Sequence, residues 1–163
     1  MAASRIPALG PRGEGWVAGQ LVLLMGVAVS GALALPHPAV SGAGRWLAFA
    51  LGLVLACGGG WLSVAGLRGL GRNLSAAPRP RSDAELVREG PYRRIRHPIY
   101  AGIIAGSFGW GLMSASPLSL AFAVALTVWF DLKSRREEGW LDERYPGYAA
   151  YVARTHRFIR GVY

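Results

Sequence analysis

Apolar residues are gathered into four long blocks, which are separated by charged or turn-forming segments. The first block covers residues 16–35 and the second covers 46–67. Each of these is long enough to cross a bilayer core of roughly 30 Å at about 1.5 Å per helical residue. The third block, 98–113, and the fourth, 118–132, cover about 22 to 24 Å if they are helical. The pattern therefore predicts four membrane-spanning helices.

The segment between the last two blocks is only Ser-Ala-Ser-Pro, residues 114–117. A connection this short predicts an antiparallel helical hairpin. After residue 132 the apolar pattern continues on one side of the helix, and Glu137 falls on this buried face. Glu138 is turned by about 100°, and the pattern places it on the solvent face with Arg135 and Asp142.

The polar segment 68–96 is about 30 residues long, which is long for a connection without an element of its own and suggests a functional loop. Within it, Ser82-Asp-Ala-Glu85 has the pattern of a capping box and predicts a short helix. Gly90-Pro91 would end that helix.

Composition and charge indicate a membrane protein. The chain has 163 residues, of which 52% are hydrophobic, and a formal net charge of +9. Lys and Arg number two before the first block, one in 36–45, eight in 68–96, none in 114–117 and seven after Leu132. Positive residues concentrate on the cytoplasmic side of membranes, so both termini and the long loop are predicted to be cytoplasmic.

The sequence disfavours three other interpretations of this composition. Nucleic-acid binding is disfavoured because the basic residues lie within reach of anionic lipid. Arg5, Arg12 and Ala32-Leu-Ala34 resemble a secretory signal, but the apolar block of about 20 residues exceeds the usual 7 to 15 and favours an uncleaved span. The single cysteine, Cys57, lies within the second block, which excludes a disulfide framework or a thiol metal cluster.

The candidate chemistry lies where the basic loop enters the third block. Pro98 suits the first turn of a helix, so the helix is predicted to begin just after His97. Its free amides and positive dipole end would favour a carboxylate. Tyr100 lies three residues after His97, and Gly102 with Gly106 forms a small face that a helix or a flat ligand can approach.

The combined motifs resemble the isoprenylcysteine carboxyl methyltransferase family and its bacterial relatives, and phosphatidylethanolamine N-methyltransferases are similar. The resemblance covers residues 68–163. It rests on Leu-Gly-Arg-Asn73, Leu86-Val87, Gly90-Pro-Tyr-Arg93, Arg96-His-Pro-x-Tyr100-x-Gly102, Glu137-Glu-x-x-Leu141, Tyr145, Tyr148, Tyr151 and Arg154-Thr155.

The resemblance implies a membrane enzyme that binds S-adenosylmethionine at the cytoplasmic side of its last hairpin, with the C-terminal tail folded over the cofactor. No metal is implied. The implied cofactor-binding residues are Arg96, His97, Pro98, Tyr100, Gly102 and Glu137, and the implied catalytic residues are Lys133, Glu137 and Arg154.

The chain departs from the family pattern at two places. Lys133 stands where isoprenylcysteine enzymes have an arginine that assists the substrate carboxylate. In the tail, relatives often read Arg-Phe-Ile-Pro-Gly, whereas this chain reads Arg157-Phe-Ile-Arg-Gly161. The first departure leaves the acceptor open, and the second bears on how the tail closes.

The residue types suit this cofactor. Glu137 could accept hydrogen bonds from the ribose or the ammonium group, His97 could hold the polar end, and Tyr100 could pack on adenine or sulfonium. A structural alternative pairs Glu137 with Lys133 or Arg136 within the helix. The motif leaves open which of Glu137 and Glu138 contacts the cofactor.

The sequence thus predicts an all-α, polytopic membrane protein of one integrated domain, with a lead and two scaffold helices in 1–67 and the cofactor region in 68–163. The expected activity is S-adenosylmethionine-dependent methylation of a lipophilic or membrane-presented carboxylate, amine or thiol. The expected setting is a bacterial inner membrane, with the lipid bilayer as partner and no nucleic acid or obligate protein partner. The alternatives are an NADPH-dependent reductase resembling the sterol reductases and a non-enzymatic scaffold or lipid-binding protein.

Overall fold

A computed structural model describes residues 6–35, 42–75, 77–79 and 83–158. Across these residues the chain is helical, and its only β structure is an isolated bridge between Ile95 and His156. The predicted all-α class is confirmed for this part of the chain. The α-helices are α1 (Glu14–Leu33), α2 (Ala43–Leu70), α3 (Pro98–Met113), α4 (Pro117–Arg144) and α5 (Tyr148–Val152).

Three of the described helices are long and apolar enough to cross a membrane. They are α1, α4, and α2 together with the 3-10 turn Gly71–Asn73 that follows it. Helix α3 is apolar but has 16 residues, fewer than the roughly 20 that usually span a bilayer. The fourth span therefore stays a prediction.

Prolines and a serine cap set the helix boundaries around residue 115. Pro98 and Pro117 begin α3 and α4 at a position where a missing amide hydrogen costs nothing. Ser116 caps α4 because its side chain accepts a hydrogen bond of 3.1 Å from the Ser119 amide. Ala115, with φ of 50°, turns the chain between the two helices.

Helices α2 and α3 pack backbone against backbone. Gly52, Gly59 and Gly66 recur every seven residues along α2 and face α3. A Cβ at Gly59 would collide with the Gly102 carbonyl oxygen, and one at Gly52 would collide with the Gly109 carbonyl oxygen. Small residues at such contacts let apolar helices approach closely where no hydrophobic effect drives them together.

Helices α1 and α4 form a second pair, in which large aromatic side chains pack on glycines. Trp129 lies on Gly19, and Phe122 lies on Gly26. The Trp129 indole nitrogen also donates to the Trp16 carbonyl at 3.0 Å, across the two helices. This pairing brings the polar end of α4 beside the start of α1.

The loop after α2 does not form the helix that the capping-box pattern predicts. Residues 84–88 have no regular structure, and Ser82 lies outside the described residues. The Glu85 amide donates to Asn73 Oδ1 at 3.0 Å, and the Tyr145 hydroxyl donates to the Ala84 carbonyl at 2.6 Å. These side chains satisfy backbone groups that a helix would otherwise have paired.

The C-terminal tail folds back onto the residues that precede α3. The His156 amide donates to the Arg94 carbonyl at 2.9 Å, and the Arg96 amide donates to the His156 carbonyl at 2.8 Å. The His97 amide donates to the Arg157 carbonyl at 3.1 Å, so the tail uses an amide at the start of α3 that was predicted to be free. The departure at Arg160 lies outside the described residues, as do Arg5 and the segment 36–41.

Candidate active site

A cavity of about 510 Å³ lies among the polar end of α4, the start of α3, the loop after α2 and the tail. Helix α1 also contributes to its wall. Apolar side chains such as Leu67, Ile99 and Ile103 line one part of it. The polar side chains that line it include Gln20, Asn73, His97, Tyr100, Lys133 and Glu137.

His97, Tyr100 and Glu137 form one connected group in this cavity. The Tyr100 hydroxyl donates to Glu137 Oε2 at 2.8 Å. The His97 ring stacks parallel on the Tyr100 ring with centroids 5.3 Å apart, and His97 Nδ1 lies 3.9 Å from Glu137 Oε2. Because His97 is the N-cap of α3 and Tyr100 lies in its first turn, the two rings project from the same side of the helix.

Glu138 does not face solvent, so the prediction for this residue was wrong. Its carboxylate accepts from Arg96 Nε at 2.8 Å and from Arg157 Nη2 at 2.8 Å, and it lies 3.2 Å from His97 Nε2. Its side chain is 12% exposed. The helical pattern missed this because the cover over Glu138 comes from the tail, which the spacing within α4 cannot reveal.

Arg96 holds the tail in place as well as lining the cavity. Besides its contact with Glu138, its guanidinium donates to the carbonyls of Val152 and Thr155 and to Thr155 Oγ1. The side chain is only 9% exposed. Much of its hydrogen-bonding capacity is thus directed to the protein itself.

Three of the predicted site residues do not line the cavity. Pro98 is buried, and it lies beside Gly66 of α2. Gly102 packs against Gly59 and Ser63 of α2, so its small face serves helix packing rather than ligand approach. Arg154 is exposed. The residues that the structure does bring to the cavity are Arg96, His97, Tyr100, Lys133 and Glu137.

Lys133 is 1% exposed and extends from α4 towards α1. Its ammonium donates to Gln20 Oε1 at 2.5 Å and lies 5.0 Å from the centroid of the Tyr100 ring. Sequence reasoning treated α1 as scaffold and missed Gln20. The available signal was a polar amide within an apolar span, since polar residues in such segments commonly mark functional sites.

Tail tyrosines complete the wall of the cavity. The Tyr151 hydroxyl donates to the Tyr92 carbonyl at 2.7 Å, and the Tyr92 hydroxyl donates to the Gly66 carbonyl at 3.2 Å. Burial raises the pKa of Tyr151 to about 12. This hydroxyl therefore stays protonated and acts as a donor at neutral pH.

Comparison with known proteins gives one family and several curated relatives. Residues 47–147 match the family model described as phospholipid methyltransferase. The nickel-cobalt-cadmium resistance protein NccN of Alcaligenes xylosoxydans xylosoxydans is 34% identical over 80 residues, which are 48% of this chain and 38% of the relative. The cobalt-zinc-cadmium resistance protein CzcN of Cupriavidus metallidurans is 33% identical over 80 residues, covering 48% and 37%.

A third relative has an enzymatic name. Protein-S-isoprenylcysteine O-methyltransferase B of Arabidopsis thaliana is 35% identical over 79 residues, covering 48% of this chain and 39% of the relative. In each of these three comparisons the matched segment spans less than two fifths of the relative's own length.

Proposed function

Because the chain belongs to the phospholipid methyltransferase family, we propose that it is a membrane methyltransferase that uses S-adenosylmethionine and methylates an acceptor reached from the bilayer. The resemblance to isoprenylcysteine methyltransferases is confirmed by the relatives. The observation that carries the proposal is a single cavity that is lined by Glu137, by the stacked rings of His97 and Tyr100, and by Lys133.

The cavity suits this cofactor in size and in the side chains it offers. Its volume of about 510 Å³ lies within the roughly 300–1,000 Å³ of small-molecule sites. Glu137 offers a carboxylate for an ammonium group or ribose hydroxyls, and the Tyr100 ring offers a face for adenine or a cation. Glu137, His97 and Tyr100 would therefore hold the cofactor. When bound, S-adenosylmethionine supplies a methyl group on a sulfonium leaving group.

The contribution of the protein is to align the reactants and exclude water. The Tyr100 hydroxyl orients the Glu137 carboxylate, and the Phe130 ring stacks on the Tyr100 ring with centroids 4.6 Å apart. Gln20 holds the Lys133 ammonium within the cavity. We include Lys133 as a catalytic candidate because it lines the cavity. We do not include Arg154, because this residue is exposed and does not line the cavity.

The setting of the enzyme follows from its helices and charges. Three described helices are long and apolar enough to span a membrane, which together with the family indicates an integral membrane protein. The excess of Lys and Arg in the loop 68–96 and after Leu132 supports a cytoplasmic site with both termini on that side. We infer a bacterial inner membrane and an acceptor that enters from the lipid; carboxylate, amine and thiol remain the candidate acceptor groups.

The names of two relatives refer to resistance to metals. Within the described ranges no group of three or more His, Cys, Asp or Glu side chains is placed to hold a metal ion. Metal binding therefore forms no part of the proposal.

Ligand binding in detergent tests the proposal. The wild type is titrated with S-adenosylhomocysteine and with NADPH, next to Glu137→Gln and the matched control Glu143→Gln, whose side chain is exposed at the end of α4. S-adenosylhomocysteine is expected to bind the wild type and the control, with affinity about tenfold weaker in Glu137→Gln. Binding of NADPH alone would instead favour a reductase, and binding of neither ligand would favour a scaffold or lipid-binding protein.

A further inference from the structure

Three tyrosines of the tail lie against the cavity, and they differ in what their hydroxyls do. The Tyr145 hydroxyl donates to the Ala84 carbonyl at 2.6 Å, and the Tyr151 hydroxyl donates to the Tyr92 carbonyl at 2.7 Å. Both fasten the tail to the loop after α2. The Tyr148 hydroxyl is buried and has no hydrogen-bond partner among the described residues.

Tyr148 is only 2% exposed, and its side chain lines the cavity. Burying a hydroxyl without a partner costs free energy, so such groups are rare in native proteins and each needs an explanation. A phenylalanine would fill the same space without this cost. The hydroxyl therefore indicates a partner that belongs in the cavity.

The surroundings of the hydroxyl indicate what kind of partner it takes. Burial, followed by the negative charges of Glu138 and Glu137, raises the pKa of Tyr148 well above its ordinary value. The group therefore stays protonated and is available as a hydrogen-bond donor. The partner that the hydroxyl lacks is therefore a hydrogen-bond acceptor, which a ligand bound in the cavity can supply.

We propose that the Tyr148 hydroxyl donates a hydrogen bond to an acceptor atom of the bound cofactor. This inference rests on the proposed function, because it assumes that S-adenosylmethionine occupies the cavity. It adds a cofactor-binding residue from α5, and it assigns the tail a direct contact with the ligand rather than a covering role alone.

A single-atom change tests the inference. Tyr148→Phe removes only the hydroxyl oxygen and its hydrogen, so it is expected to weaken S-adenosylhomocysteine binding about tenfold or more. In the absence of ligand, its thermal unfolding temperature is expected to equal or exceed that of the wild type, because no hydrogen bond is lost. The matched control is Tyr151→Phe, which loses the hydrogen bond to Tyr92 and is expected to unfold at a lower temperature.

A second ligand tests which cofactor group is contacted. 5′-Methylthioadenosine shares the adenosine part but lacks the amino-acid group. An equal loss of binding with both ligands is expected if the hydroxyl contacts the adenosine part, and a loss with S-adenosylhomocysteine alone is expected if it contacts the amino-acid group. No loss with S-adenosylhomocysteine, or a clear drop in ligand-free stability, would overturn the inference while leaving the proposed function intact. A wild type that does not bind S-adenosylhomocysteine would overturn the proposed function, and the inference with it.

Discussion

Two adjacent acids on α4 have different surroundings and therefore different expected roles. Neighbouring residues on a helix project about 100° apart. Glu137 accepts the Tyr100 hydroxyl and lines the cavity. Glu138 faces the tail and is surrounded by Arg96, His97 and Arg157. Of the two acids, Glu137 is thus the one placed to contact a ligand, and Glu138 is placed to hold the tail.

Replacing each acid by its amide separates these roles. Glu138→Gln is expected to lower the free energy of unfolding by on the order of 3 kcal/mol, because the buried Arg96 would lose its carboxylate partner, while Arg157 would keep its ion pair with Asp131. Glu137→Gln is expected to leave thermal stability near that of the wild type and to weaken S-adenosylhomocysteine binding. Thermal unfolding in detergent and ligand titration measure the two effects. The opposite pattern would assign the ligand to Glu138.

At the scale of elements, the contact between α2 and α3 depends on glycines whose positions matter individually. Gly59 faces the α3 backbone at Gly102, whereas its neighbour Gly60 has nothing within 4 Å of an added Cβ. The two glycines therefore share a helix and a sequence neighbourhood but not a packing role. Replacing each of these glycines by alanine therefore separates the effect of helix packing from that of intrinsic helix propensity.

Gly59→Ala is expected to destabilise the protein by about 1–3 kcal/mol, because the new methyl group forces the two backbones apart. Gly60→Ala is expected to be neutral or to stabilise the helix by up to about 1 kcal/mol, since alanine is the better helix former. Thermal unfolding of both variants under identical detergent conditions checks this. Equal destabilisation by both would show that the α2–α3 contact does not depend on this glycine.

Helix positions could be predicted because their causes are local. The apolar run 98–113 and the prolines at its start and after its end gave the bounds of α3 correctly. Glu138 and the loop 84–88 could not be predicted in the same way, because their partners lie far along the chain. Arg157 covers Glu138 from the tail, and Tyr145 holds Ala84 from beyond α4. A helical wheel or a capping pattern contains no information on such contacts.

At the scale of the whole molecule, the candidate site draws on nearly every element. Helix α1 supplies Gln20, the residues before α3 supply His97, α4 supplies Glu137, and α5 supplies Tyr148. The motifs of residues 68–163 indicated most of this site. They could not indicate Gln20, which lies outside the matched segment 47–147 and has no neighbouring motif.

The predicted orientation in the membrane can be tested with single cysteines. In a Cys57→Ser background, Glu143→Cys is expected to react with a membrane-impermeant maleimide only from the cytoplasmic side, and Gly44→Cys only from the opposite side. The reason is the excess of Lys and Arg after Leu132 compared with the single Arg45 near the start of α2. Both chosen positions are exposed. Labelling of both from the same side would contradict this orientation.

The long-range contacts of the site also bear on the order in which the molecule folds. Gln20 and Lys133 are 113 residues apart in the chain, and Tyr92 and Tyr151 are 59 residues apart. Closing a loop costs chain entropy that grows with its length, and contacts between distant residues tend to form late. The helices depend mainly on local hydrogen bonds and can form first. Assembly of the cavity is therefore expected to be a late step, so a chain can have its helices in place before it has a site.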